Sequence, residues 1–83
     1  MREKTVVTSM GDEFQVREAT MRTMLQHMKL MSEDTAAFQL ELVKASIYKD
    51  GQPLGDAVLD LGIKVYGELS VASMEVNGFF VKG

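Results

Sequence analysis

The chain has no cysteine, so no disulfide can reinforce the core that its 83 residues form. Its one histidine, His27, cannot supply the ligand set of a tight transition-metal site. A domain of this length buries only about 60% of its unfolded surface, and chains of this size commonly need a disulfide, a metal or a partner copy. We therefore predict one domain over residues 1–83, with no metal and no cofactor, that forms a homo-oligomer.

Charge and hydropathy exclude two classes of partner. The net charge is −3, and the basic side chains form no cluster of the kind that neutralises phosphates, so we predict no nucleic-acid binding. No apolar run approaches the roughly 20 residues that span a bilayer. The opening residues, Met1-Arg2-Glu3-Lys4, have no signal-peptide pattern. These features predict no membrane association and a cytoplasmic location.

The first part of the chain has the pattern of a β-hairpin, over about residues 5–17. Thr5-Val6-Val7-Thr8-Ser9 is rich in β-branched residues, and Glu13-Phe14-Gln15-Val16-Arg17 alternates polar and apolar side chains. Met10-Gly11-Asp12 supplies the turn between them. A lone hairpin is marginal in water, so we expect the segments that follow to pack on it.

Three helices are predicted after the hairpin, over about residues 20–31, 33–48 and 63–77. Thr20 is the expected cap of the first helix, and Ser32-Glu33-Asp34 provides a new cap for the second. Lys49-Asp50-Gly51-Gln52-Pro53 reads as a loop, and Leu54 to Leu61 as a short helical turn capped by Asp56. Asn77-Gly78 is a natural helix stop. The predicted fold class is α+β, an N-terminal β-hairpin followed by a bundle of about three helices.

The first helix carries a stripe of adaptable apolar side chains. They recur at helical spacing, at Met21, Met24, Leu25, Met28 and Met31. Methionine is unbranched and polarizable, and it is frequent on surfaces that accept varied partners. The stripe either fills the core against the second helix or is in part a contact surface. The apolar tail, with Phe79 and Phe80, either folds back onto the hairpin or meets a partner. These seven residues are the candidate partner-binding residues.

Catalysis has little support in the sequence. His27 has no flanking acid to orient it, and cysteine nucleophiles are absent. Asp56 and Asp60 have the spacing of paired carboxylates, although a cap and a solvated acidic turn is the favoured explanation. We predict that the chain is not an enzyme. A helix–turn–helix is disfavoured as well, because the second helix opens with Asp34-Thr35-Ala36-Ala37-Phe38, which would repel phosphates.

Two stretches resemble the small tail assembly chaperones of long-tailed bacteriophages. The first runs from the strand at Thr5 to Thr8 into Gly11-x-x-Phe14-x-Val16-Arg17-Glu18-Ala19-Thr20, directly before an amphipathic helix. The family typically has proline where this chain has Ala19. The second is Asp50-Gly51-Gln52-Pro53-Leu54 followed by Val58-Leu59-Asp60-Leu61, an apolar-acidic-apolar step before the last helix.

The resemblance implies a function in the cytoplasm of a bacterial host. Such chaperones bind the long, helical, apolar tape measure protein, keep it soluble and recruit tail tube protein. Many also exist in a longer form made by a ribosomal frameshift, and Gly78-Phe79-Phe80 can be encoded by a slippery uridine run. A structural tail or head-completion protein, or a small DNA-binding regulator, is the alternative function.

Overall fold

A four-stranded antiparallel sheet and three α-helices form the fold, which a computed structural model describes for residues 2–79. In chain order the elements are β1 (Glu3–Val7), β2 (Glu13–Arg17), α1 (Met21–Glu33), α2 (Thr35–Ser46), β3 (Ile47–Lys49), β4 (Gln52–Pro53), a 3₁₀ helix (Gly55–Asp60) and α3 (Ile63–Val76). The predicted α+β class, with an N-terminal hairpin followed by helices, is confirmed.

The N-terminal hairpin turns where the sequence indicated. β1 and β2 pair antiparallel, with Val6 opposite Phe14, and the hairpin begins at Glu3, two residues before its predicted start. Gly11 has a φ of 89°, a conformation that glycine adopts without a steric penalty. Phe14 and Val16 are buried on one face of β2, so the polar–apolar alternation of this strand sets the inner face of the sheet.

A second hairpin, which the sequence analysis missed, completes the sheet. The helix predicted over 33–48 ends at Ser46, and Ile47 pairs with Val16 of β2 as the start of β3. Asp50 and Gly51 have φ of 53° and 80°, the two positive values of a tight type I′ turn, and Gln52–Pro53 returns as β4. The predicted loop over 49–53 is therefore a hairpin turn with its strand ends.

The two predicted caps around α1 are confirmed. The Thr20 hydroxyl accepts a hydrogen bond from the backbone N–H of Thr23 at 3.3 Å. Asp34 serves both neighbouring helices, since its N–H donates to the Leu30 carbonyl at 2.8 Å and its carboxylate accepts from Ala37 N–H at 3.1 Å. Because one residue ends α1 and caps α2, the two helices follow each other with no loop between them.

The end of α3 also follows its prediction. Gly78 has a φ of 81°, and its N–H donates to the Glu75 carbonyl at 3.1 Å. The N–H of Phe79 donates to the Met74 carbonyl at 2.9 Å, which completes a Schellman motif. The cap predicted at Asp56 is wrong. Its carboxylate instead pairs with the Lys44 ammonium at 2.9 Å and ties the 3₁₀ helix to α2.

One buried cluster joins the sheet, α2, the 3₁₀ helix and α3. Its most buried members are Val16 of β2, Val43 of α2, Ile47 of β3 and Leu69 of α3, all with no exposed surface. α2 and α3 cover the inner face of the sheet, and α1 packs on α2. Ser46 of α2 and Ser70 and Ser73 of α3 are buried as well.

Asn77, the residue that ends α3, connects three segments of the chain. Its side-chain oxygen accepts from the N–H of Ala19, just before α1, at 2.7 Å. Its amide nitrogen donates to the Ser46 hydroxyl at the end of α2, at 3.1 Å, and to the Ser73 carbonyl, at 2.8 Å. These bonds fix the ends of α2 and α3 against the start of α1.

We expect Asn77→Ala to lower the free energy of unfolding by about 2 kcal/mol, because it removes three hydrogen bonds and leaves partly buried groups unpaired. Urea denaturation followed by circular dichroism measures this loss. The matched control is Gln26→Ala, which removes an exposed amide from α1 and should change stability by less than about 0.5 kcal/mol. Equal effects of the two substitutions would contradict a role for Asn77 in holding the three segments together.

Candidate partner-binding surface

None of the thirteen residues of α1, all of them within the described range, is buried. Its inner side consists of half-buried residues, among them Thr23, His27 and Leu30. His27 lies with Nε2 3.9 Å from the Glu41 carboxylate of α2, which places this histidine at the helix–helix contact. α1 therefore rests on α2 through one side and turns its other side outward.

The outward side of α1 carries four apolar residues, which we call the α1 stripe. Met21, Leu25, Met28 and Met31 are exposed at 66%, 65%, 47% and 39%. They are four, three and three residues apart, so they form one row along the helix. Met24 lies beside this row and is half-buried. Of the five α1 residues predicted as contact candidates, four are exposed and one is partly covered.

The two edges of the α1 stripe differ in chemistry. One edge carries Arg22, Lys29 and Glu33, at spacings of seven and four residues that align them on the helix. Lys29 and Glu33 form an exposed ion pair with an N–O distance of 3.9 Å. The other edge carries Met24 and extends the apolar surface toward α2. The stripe is thus an apolar row with one charged border and one apolar border.

Phe79 does not extend freely from the fold. Its ring packs edge-on against the ring of Phe38 in α2, with centroids 5.8 Å apart and an angle of 83° between the planes. One of the two alternatives predicted for the tail placed it on the hairpin, whereas the Phe79 ring contacts α2. Phe80, the other aromatic candidate, lies outside the described residues.

Further exposed apolar residues are scattered over the rest of the described surface. They include Leu59 and Ile63 near the start of α3, Val71 on α3, and Met10 and Val7 at the first hairpin. Single exposed apolar side chains are common on folded proteins. The α1 stripe differs because its members adjoin one another on a single helix, and the methionine periodicity was the sequence signal for it.

Asp56 and Asp60, which have the spacing of paired carboxylates, lie on the 3₁₀ helix. Within residues 2–79 no group of three or more acidic or histidine side chains is arranged to hold a metal ion, and no pocket opens. Asp56 is paired with Lys44, whose pKa is raised by its hydrogen bonds to Asp56 and Glu41. Among the described helices, none is long and apolar enough to cross a membrane.

Comparison with known proteins adds no relative. The chain matches no protein-family model, and no curated protein or solved structure matches it either.

The exposure of the α1 stripe predicts that its side chains contribute little to stability. We expect Leu25→Ala and Met28→Ala each to change the free energy of unfolding by less than about 0.5 kcal/mol. Leu42→Ala, the same change at a residue of α2 that is 2% exposed, should cost about 2–5 kcal/mol because it leaves a cavity. Chemical denaturation of the three variants tests this. A large loss at Leu25 would instead make the stripe part of the core.

Proposed function

We propose that this protein is a tail assembly chaperone of a long-tailed bacteriophage. In this function it binds the tape measure protein in the cytoplasm of the host, keeps it soluble and helps to recruit tail tube subunits. The observation that carries the proposal is the α1 stripe, in which Met21, Leu25, Met28 and Met31 are exposed on one helix. A contiguous apolar row on a chain with a net charge of −3 is typical of a surface that meets a partner.

The chemistry of the stripe suits a repetitive client. Three of its four residues are methionines, whose flexible side chains adjust to different apolar shapes. A long amphipathic helix presents similar but unequal apolar faces along its length, and an adaptable surface can bind many of them. Several copies on one client would gain avidity, so each contact can be weak. This logic favours a coating protein over a binder of one unique site.

The segments that carry the family resemblance also support the proposal through their places in the fold. Gly11 to Thr20 contains the first turn, β2 and the cap of α1, so it sets where α1 begins. Asp50 to Leu54 contains the second turn and β4. The resemblance therefore covers the elements that position the helices. The proposed contact surface, the α1 stripe, lies on the helix that directly follows Gly11 to Thr20.

Co-expression with the tape measure protein tests the function. The wild-type chaperone should raise the soluble fraction of that client several-fold, and the double substitution Leu25→Glu with Met28→Glu should abolish the gain because it places charges in the apolar contact. Val71→Glu is the matched control, since Val71 has the same 47% exposure as Met28 but lies on α3. The soluble client is measured by sedimentation and gel densitometry.

The outcomes test the chaperone function and the location of its contact surface separately. A client that stays insoluble at saturating wild-type protein would refute the chaperone function. A client that stays soluble with the doubly charged variant would move the contact away from the α1 stripe. Mass analysis of purified virions addresses the structural alternative, since a chaperone should be absent from the particle and a tail or head-completion protein should be present.

A further inference from the structure

Among the α-helices of the described chain, α1 is the one that adds no residue to the buried cluster. None of its residues is buried, whereas α2 has four buried residues and α3 has six. The cluster and the half-buried residues packed against it come from the sheet, α2, α3 and the segment around the 3₁₀ helix. Loss of the contacts of α1 would therefore leave the main core of the fold in place.

The contacts that hold α1 against the fold are few and lie near the surface. At its start, the N–H of Ala19 donates to the side-chain oxygen of Asn77 at 2.7 Å. Near its middle, His27 Nε2 lies 3.9 Å from the Glu41 carboxylate of α2. Apolar contact with α2 comes from half-buried side chains such as Leu30. This attachment is weaker than that of α2 or α3, which place buried side chains in the core.

The helical structure of α1 depends on the same attachment. It has thirteen residues, a length at which an isolated helix is marginal in water. Its first turn has no acidic residue and its last turn has no basic residue, so side chains do not offset the helix dipole at either end. A detached α1 should therefore unfold, and the unfolded segment has the slack to leave α2 while the elements on both sides of it stay in place.

The side of α2 that faces α1 forms a second, smaller apolar contact. Phe38 and Leu42 lie one turn apart on α2 and are 4% and 2% exposed, yet neither belongs to the main cluster. Phe38 is three residues from Glu41, so on the helix it neighbours the residue that faces His27 of α1. The ring of Phe79 covers Phe38 from another segment. α1 therefore covers apolar surface that the main core does not use.

We propose that α1 is a strap that opens separately from the rest of the fold. Residues 19–34 leave α2 and unfold as one unit, while the sheet, α2, the 3₁₀ helix and α3 stay folded. Opening breaks the bond between Ala19 and Asn77 and uncovers Phe38 and Leu42. One consequence rests on the proposed function: only the closed chain presents the α1 stripe as a row, so a client that binds the stripe holds α1 on α2.

Native-state hydrogen exchange followed by NMR tests the opening, with Ile47→Val as a substitution that weakens the core. Ile47 lies on β3, has no exposed surface and belongs to the cluster. In the wild-type chain the amides of residues 26–30 should share one opening constant and exchange at least about 30-fold faster than the amide of Leu69. Ile47→Val should speed exchange at Leu69 about three- to tenfold. It should leave residues 26–30 unchanged within about 1.5-fold, because the core stays folded in the open state.

Two results would overturn the strap. Residues 26–30 that exchange at the rate of Leu69, and respond equally to Ile47→Val, would report only global unfolding. Opening constants that rise steadily from residue 26 to residue 30 would indicate fraying from one end instead of a single unit. Either result would leave the chaperone function standing, since neither measurement involves a client.

Cysteine labelling tests whether opening uncovers α2, because the chain contains no other thiol. Leu42→Cys places a thiol in the contact beside α1, and Leu69→Cys, the matched control, places one in the main cluster. Relative to the global unfolding constant of each variant, iodoacetamide should label Leu42→Cys at least about 30-fold faster than Leu69→Cys. Equal relative rates would show that the Leu42 side of α2 stays covered and would overturn the uncovering.

Discussion

The hydrogen bonds of Asn77 are the constraint on which the arrangement of the helices depends. The side chain satisfies the N–H of Ala19 and the hydroxyl of Ser46 while it caps its own helix through the Ser73 carbonyl. In this chain without disulfides, the Asn77 side chain is bonded to Ala19, 58 residues away in sequence, and to Ser46, 31 residues away. It therefore fixes where α1 leaves the core.

The position of α1 follows from how little core the chain can build. The buried cluster draws on the inner face of the sheet, α2, the 3₁₀ helix and α3, and these elements cover one another. α1 is joined to α2 by Asp34 alone, so it lies along α2 with only one side to bury. α1 carries more apolar side chains than its contact with α2 covers, so Met21 and Leu25 stay about two-thirds exposed. Exposure of the stripe is thus a consequence of the topology.

The sequence predicted the features that local chemistry decides. Thr20 and Asp34 as caps, Gly11 and Gly78 as turning points, and the hairpin strands all depend on neighbours within a few residues. It failed at Ile47 and Tyr48, where helical periodicity continued but pairing with β2 took precedence. Asp50-Gly51 is a known hairpin signal that pointed to this outcome. The sequence did not predict which side of α1 faces outward. That orientation depends on contacts with α2 that no local pattern encodes.

An exposed apolar row can bind a partner, and it can also promote aggregation. The residue types of α1 affect both. Leucine or isoleucine at every position would give a stronger contact, and also a surface prone to aggregation when no partner is present. Methionine lowers that risk because its shape is adaptable and its contacts are individually weak. Arg22, Lys29 and Glu33 border the row on one side, and Lys29 and Glu33 form an exposed ion pair there. The charged border therefore keeps one side of the row in water, and the methionines tolerate variety in the apolar face.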